Sequence, residues 1–221
     1  AGLLDADGER VIGTRELMDG GFEAIVSGYR KGTGSSRETA AQCERWSGIR
    51  YVFAASFAPI HERNNINLGQ LMGDHAMLAR LQAGEAVPLD EFTGKYDPVT
   101  RLILESGGLF PFSRKVAAGE SELPPNATGA RPMTMAEKMI AAKMLNPGGE
   151  GAYVAPGDAV LAKVDGGYSH EFTTAQVHTF LAEEYGADYR VQNADKLAVF
   201  EDHLLYADGV ARFAPFVDQI Q

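Results

Sequence analysis

The sequence predicts an α/β protein in two parts, and three observations lead there. Over residues 1–118, short apolar runs alternate with helical patterns. Residues 119–132, rich in Gly, Pro and small polar side chains, read as a linker. The alternation of strand and helix patterns then resumes over residues 133–221.

In the first part, Ala24-Ile25-Val26 predicts a buried strand and Tyr51-Val52-Phe53-Ala54-Ala55 a second. Between them, Ser35 to Trp46 predicts a helix. Ser35 with Glu38 fits a capping box, and Ala40, Cys43 and Trp46 recur at helical spacing. A further helix is expected from Ser56-Phe57 onward, carrying His61 as a structural residue. Arg101-Leu102-Ile103-Leu104 has strand character.

In the second part, Thr134-Met135-Ala136-Glu137 is another capping box, opening a helix that stops at Asn146-Pro147-Gly148-Gly149. The Pro156-Gly157-Asp158 turn precedes a strand from Ala159 to Val164. Thr173 and Gln176 can cap a helix that presents Val177, Phe180, Leu181 and Tyr185 on one face and ends at Gly186. Leu197 to Phe200 reads as a buried strand running into Asp202-His203. Residues 209–220 have helical character interrupted by Pro215, and the architecture is expected to be incomplete at residue 221.

Composition narrows the function classes. A formal charge of −10 opposes broad nucleic-acid binding, which depends on Lys and Arg neutralising phosphates. A small anion remains compatible, because local cations and backbone N–H groups can bind it. No run approaches the roughly 18–20 apolar residues that span a bilayer, so no membrane partner is expected. With no export segment recognised, the expected compartment is the cytoplasm. The one cysteine, Cys43, excludes an internal disulfide and any metal site built on several cysteines of this chain. It reads as a small buried hydrophobe.

The segment richest in chemistry is Gly34-Ser35-Ser36-Arg37-Glu38, between a predicted strand and a predicted helix start. A helix N-terminus presents unpaired N–H groups and about half a positive charge, which suits a carboxylate. Gly32 and Gly34 allow close backbone approach, and Arg37 offers a planar fork for bidentate carboxylate binding. Taken alone, the same residues also describe a capped helix with a surface arginine.

This loop is followed by Ser56-Phe57-Ala58-Pro59-Ile60-His61-Glu62-Arg63-Asn64 and then Asn67-Leu68-Gly69-Gln70-Leu71. Together these resemble the swivel domain of aconitases and isopropylmalate dehydratases, with its "SFA-x-I-x-x-x-N" run and "N-x-G-L-L" element. The second part resembles the opening of the large, cluster-bearing part of the same family. Met133-Thr134-Met135-Ala136-Glu137-Lys138 matches its "MTMAEK" start, and Pro156-Gly157-Asp158 with Val164-Asp165 its first strand. Ser169-His170-Glu171 and Asp202-His203 parallel its substrate-loop and "Asp-His" elements.

The resemblance implies a β/β/α swivel domain over 1–118 joined, through 119–132, to the incomplete first α/β domain of the large part over 133–221. It implies a hydro-lyase that moves a hydroxyl between neighbouring carbons of a hydroxy di- or tricarboxylic acid. In that family one iron of a [4Fe–4S] cluster acts as Lewis acid on the leaving hydroxyl, and a serine alkoxide removes the neighbouring proton. Carried over, Ser35 is the base, Ser36 and Arg37 hold substrate carboxylate, Asp202 orients His203 as the acid, and His170 lies near the substrate.

The chain departs from the family pattern as well. Tyr29-Arg30-Lys31-Gly32-Thr33 replaces an "N-F-G-x" approach, and Thr39 stands where a histidine is common. The family's "Asp-x-x-Thr-Asp" opening and its cluster cysteines are absent. Cluster ligands are therefore expected from other domains of the same protein or from a second subunit, with this chain inactive alone. The competing reading is a non-catalytic subunit that binds carboxylates. A third, RNA regulation, is opposed by the acidic balance and the lack of a basic stripe.

Overall fold

The computed structural model of the protein describes residues 3–4, 7–13, 15–35, 37–149 and 151–202. Ser36, His203 and the helical segment expected over 209–220 lie outside the described residues. The chain divides into two compact units, one of residues 1–133 with 146–160, the other of residues 134–145 with 161–221.

The first unit opens with a short antiparallel pair, β1 (Leu3–Leu4) and β2 (Arg10–Ile12), followed by α1 (Glu16–Asp19). Its centre is a parallel sheet of β3 (Ala24–Val26), β4 (Tyr51–Phe53) and β5 (Leu71–Gly73), in that order. Parallel neighbours need a crossover. Here α2 (Thr39–Trp46) and α3 (Pro59–Asn67) provide both, and they pack on each other. Ala24, Ile25 and Val26 stand in register with Tyr51, Val52 and Phe53, which in turn pair with Leu71, Met72 and Gly73.

Four helices complete this unit: α4 (His75–Gln82), α5 (Leu89–Thr93), α6 (Pro98–Glu105) and α7 (Leu109–Ala117). Alternation along β4 sends Tyr51 and Phe53 to one face, where Phe92 of α5 meets their rings at 6.2 and 6.5 Å. Val52 points the other way and is also fully buried. Phe53, Ile66, Met72, Ile103 and Phe112 continue the core, each such side chain stabilising the fold by roughly 1.5–3 kcal/mol. Gly69, at φ 69°, lets the end of α3 touch the α6–α7 turn: a Cβ there would fall 2.3 Å from the Gly107 carbonyl.

Several expectations are corrected. Arg101–Leu104 is helical, within α6, because the Asp97 carboxylate accepts from the Thr100 N–H at 2.9 Å and Pro98 pre-sets the first turn. The helix expected from Ser35 starts at Thr39. Ser35 instead accepts from Arg37, and Glu38 caps α2 with its backbone alone. The buried face of α2 is Ala41 and Gln42, so Cys43 is exposed rather than buried. The helix after β4 starts at Pro59, leaving Ser56 and Phe57 extended.

Residues 119–132 contain no helix or strand. Side chains nonetheless tie them down. Asp158 accepts from Thr128 Oγ1 at 2.6 Å, Asn126 Nδ2 at 3.0 Å and the Ala155 N–H at 2.8 Å. These three donors hold its carboxyl below the usual carboxylate range, the Thr128 bond most.

The second unit contains α8 (Met135–Ala141), β6 (Gly167–His170), α9 (Glu171–Tyr185), a 3₁₀ turn (Ala194–Lys196) and β7 (Leu197–Phe200). The capping box on α8 forms as the sequence predicts. The Glu137 N–H donates to Thr134 Oγ1, and Glu137 Oε2 accepts from the Thr134 N–H. The helix ends at Ala141, however, several residues before Asn146. The strand expected over Ala159–Val164 reduces to one bridge between Ala162 and Met144. β6 and β7 pair in parallel, with α9 as the crossover. β7 is exposed rather than buried, with Phe200 58% accessible among the described residues. No helix of the described residues is long and apolar enough to cross a membrane.

Candidate functional site

The serine loop leaves the C-terminal end of β3 and enters α2, so it sits where open parallel sheets bind their ligands. Hydrogen bonding continues past the strand ends. The Ser27 N–H donates to the Phe53 carbonyl, Ala55 to Gly28, Lys31 to Ser56, and Ala58 to Lys31. The Ser56 hydroxyl donates to the Tyr29 carbonyl at 2.8 Å. The strand-side stem of the serine loop, residues 27–31, and the Ser56 motif are thus hydrogen-bonded neighbours, which composition could not reveal. His75 reaches the Ser27 carbonyl at 2.8 Å, and since a carbonyl only accepts, its Nε2 carries the proton.

Ser35 and Arg37 are both exposed on this loop. The Arg37 backbone N–H donates to Ser35 Oγ at 3.1 Å. A donor at this place stabilises a hydroxyl oxygen as it loses its proton. Glu38 is half-buried at the start of α2, and burial pushes its carboxyl up.

Beneath the loop lies a cluster that sequence reasoning missed. Lys31 Nζ is 2.5 Å from Glu44 Oε1, both side chains largely buried. His61 is 3% exposed, and its ring packs under Gly32. Neither ring nitrogen has a hydrogen-bond partner among the described residues, nor does Glu44 Oε2. Burial pushes the His61 imidazole down, partly offset by Glu44 and reinforced by Lys31. No spacing rule announces a lysine and a glutamate buried together, since both types are ordinarily exposed.

In the second unit, His170 and Asp202 line one cavity of about 630 Å³ with Tyr168, Thr173, Phe200 and Glu201. It opens at the C-terminal ends of β6 and β7. His170 caps α9: its Nδ1 accepts from the Thr173 N–H at 3.3 Å, and its Nε2 lies 2.8 Å from Thr173 Oγ1. Glu171, buried and not anticipated as a site residue, accepts from the Asp202 N–H at 2.9 Å. It thereby fixes the backbone of Asp202.

The chain carries one cysteine, Cys43, exposed on α2. Among the described residues no group of three or more His, Cys, Asp or Glu is placed to hold a metal ion. This donor set does not fit a cluster bound through several thiolates.

A mixed α/β fold with a Gly-Ser-Ser-Arg loop on the C-terminal edge of a parallel sheet defines the class. Residues 6–72 match the family model described as the aconitase C-terminal domain. The chain is 31% identical over 110 residues to the 3-isopropylmalate dehydratase small subunit of Methanosarcina acetivorans, covering 43% of this chain and 68% of that protein. It is 34% identical over 110 residues to the corresponding subunit of Moorella thermoacetica, covering 42% of this chain and 66% of that protein. Over 85 residues it is 40% identical to the mitochondrial homoaconitase of Candida parapsilosis, covering 38% of this chain but 11% of that protein. A crystal structure of a Methanocaldococcus jannaschii 3-isopropylmalate dehydratase aligns with TM-score 0.34 and 30% identity, over 44% of this chain and 66% of that one. The sequence relationships carry the assignment: the chain belongs to the aconitase/3-isopropylmalate dehydratase family, with swivel-domain homology. It spans about two thirds of these small subunits and about a tenth of the homoaconitase.

Proposed function

We propose that the chain is the swivel and entry portion of a hydro-lyase that isomerises a hydroxy di- or tricarboxylic acid by dehydration and rehydration. Its cluster-bearing domains would belong to the same protein or to a second subunit, and this chain alone would be inactive. Residues 1–118 are the swivel domain in this reading, 119–132 the connection and 133–221 the start of the large part. The location would be cytoplasmic. The observation that carries the reading is the serine loop itself, held on the C-terminal edge of the sheet in a chain of this family.

Ser35 would take the proton from the carbon next to a substrate carboxylate. Such a proton is very weakly acidic, so the base must be activated and the developing charge stabilised. The Arg37 N–H on Ser35 Oγ supports the first requirement. The Arg37 guanidinium and Ser36 would meet the second by holding carboxylate oxygens. His203 would protonate the departing hydroxyl, oriented by Asp202, whose backbone Glu171 fixes. His170, which lines the cavity with Asp202, would contact substrate.

The test is Ser35→Ala in the assembled, cluster-bearing enzyme, assayed on unsaturated and hydroxy di- and tricarboxylates. A general base contributes about 10²–10⁴-fold, so kcat should fall by that factor with a small change in KM. An unchanged kcat would leave the competing reading, a subunit that only binds carboxylates.

A further inference from the structure

We infer that Lys31 and Glu44 form a positioning clasp that closes the base of the serine loop, an inference that rests on the loop's proposed role in holding substrate. Lys31 is the last residue of the strand-side stem. Its backbone is locked on both sides, donating to Ser56 at 3.0 Å and accepting from Ala58 at 2.9 Å. Glu44 sits on α2, the helix that the loop enters. Their ion pair, at 2.5 Å, therefore ties the strand-side stem to the helix that follows residues 32–38.

The third member of the arrangement is His61, from α3. Gly32 has φ 86°, and a Cβ there would lie 2.2 Å from His61 Cβ and 2.3 Å from its Cγ. The loop thus leaves Lys31 pressed onto an imidazole floor, with the ion pair beside it. One stem is pinned from below by the ring and sideways by the charge pair.

Stability alone does not explain the pair. Desolvating two charges offsets most of their attraction, and apolar replacements of similar volume often fold as well or better. What such a pair supplies is a defined geometry. Here the geometry concerns the backbone that carries Gly34, Ser35 and Arg37. A displacement of about 1 Å in a reacting group can cost around 100-fold in rate, so a loop of exposed residues gains most from a fixed stem. Lys31 and Glu44 act through Ser35 and Arg37 and touch no reacting atom.

The test uses the full chain in its assembled enzyme. Two double variants are compared with wild type: K31M/E44L, which removes both charges, and K31E/E44K, which reverses them. Three quantities are read: the thermal midpoint, backbone amide hydrogen exchange over residues 32–38, and kcat and KM. For K31M/E44L we expect a near-unchanged midpoint, exchange at least ~10-fold faster, and kcat reduced by about 10–100-fold with a smaller change in KM. For K31E/E44K we expect exchange and kcat restored to within about threefold of wild type.

Wild-type exchange in K31M/E44L would overturn the clasp. So would loss of its fold, which would make the pair a structural support. Failure of K31E/E44K to restore, with its fold intact, would assign the effect to side-chain shape and overturn it as well. Ser35→Ala separates this from the function. If that variant keeps full kcat while loop exchange responds as expected, the clasp stands and the catalytic role of Ser35 falls.

Discussion

Gly32 rests directly on the ring of His61, so closely that no larger residue fits between them. The backbone there is left-handed, at φ 86°. Two independent requirements, conformation and contact, converge on one glycine. They explain why the approach to the serine loop, unlike its neighbours, has no side chain.

Gly32→Ala should therefore destabilise the chain by about 2–4 kcal/mol, combining the left-handed penalty with overpacking against His61. Urea unfolding measures it directly. Gly34, which meets nothing within 4 Å, is the control, and Gly34→Ala should cost far less.

His61 gives the fold a defined acid sensitivity. Burial lowers its pKa below the ordinary value of 6.5. Between those two values the unfolded chain binds more protons than the native state, so stability rises with pH. The contribution is complete above pH 6.5 and is lost as pH falls through the lower folded value. The stability difference between wild type and His61→Leu should accordingly be constant at neutral pH and shift against wild type below about 6.5. Parallel curves across that range would show that the imidazole does not titrate in this way.

Asp158 ties residues 126–128 to the turn at Ala155 through three hydrogen bonds. Asp158→Ala leaves those donors unpaired and should cost about 2 kcal/mol. Because its pKa is lowered, its contribution is present above the unfolded value of 3.8 and lost as pH falls further. The wild-type advantage over the variant should shrink correspondingly in acid, as read by thermal midpoints at two pH values.

Much of the sheet was legible because its strands are short apolar runs with clear boundaries. Ala24–Val26 and Tyr51–Phe53 are where the pattern puts them, but β3 is the edge strand, with Ala24 and Val26 exposed rather than buried. Leu102, Ile103 and Leu104 misled because three apolar residues in a row fit a strand as well as a buried helix turn. The Asp97-Pro98 start signal decides between them. On α2 the helical period was legible, but its phase was not, because the buried face contains Gln42 and the exposed one Cys43 and Trp46. The serine loop could be located from its residues alone. Its fastening could not, since Lys31, Glu44 and His61 come from three elements and only the fold brings them together.

The central claim is that Ser35 is the proton-abstracting base, and hydrogen exchange into substrate tests it most directly. The assembled enzyme is incubated in D₂O with a hydroxy acid that it turns over, and deuterium is followed at the carbon next to the carboxylate. The account predicts that Ser35→Ala slows this incorporation at least ~100-fold while substrate binding changes only a few-fold. Incorporation at the wild-type rate in that variant would contradict it and place the base elsewhere.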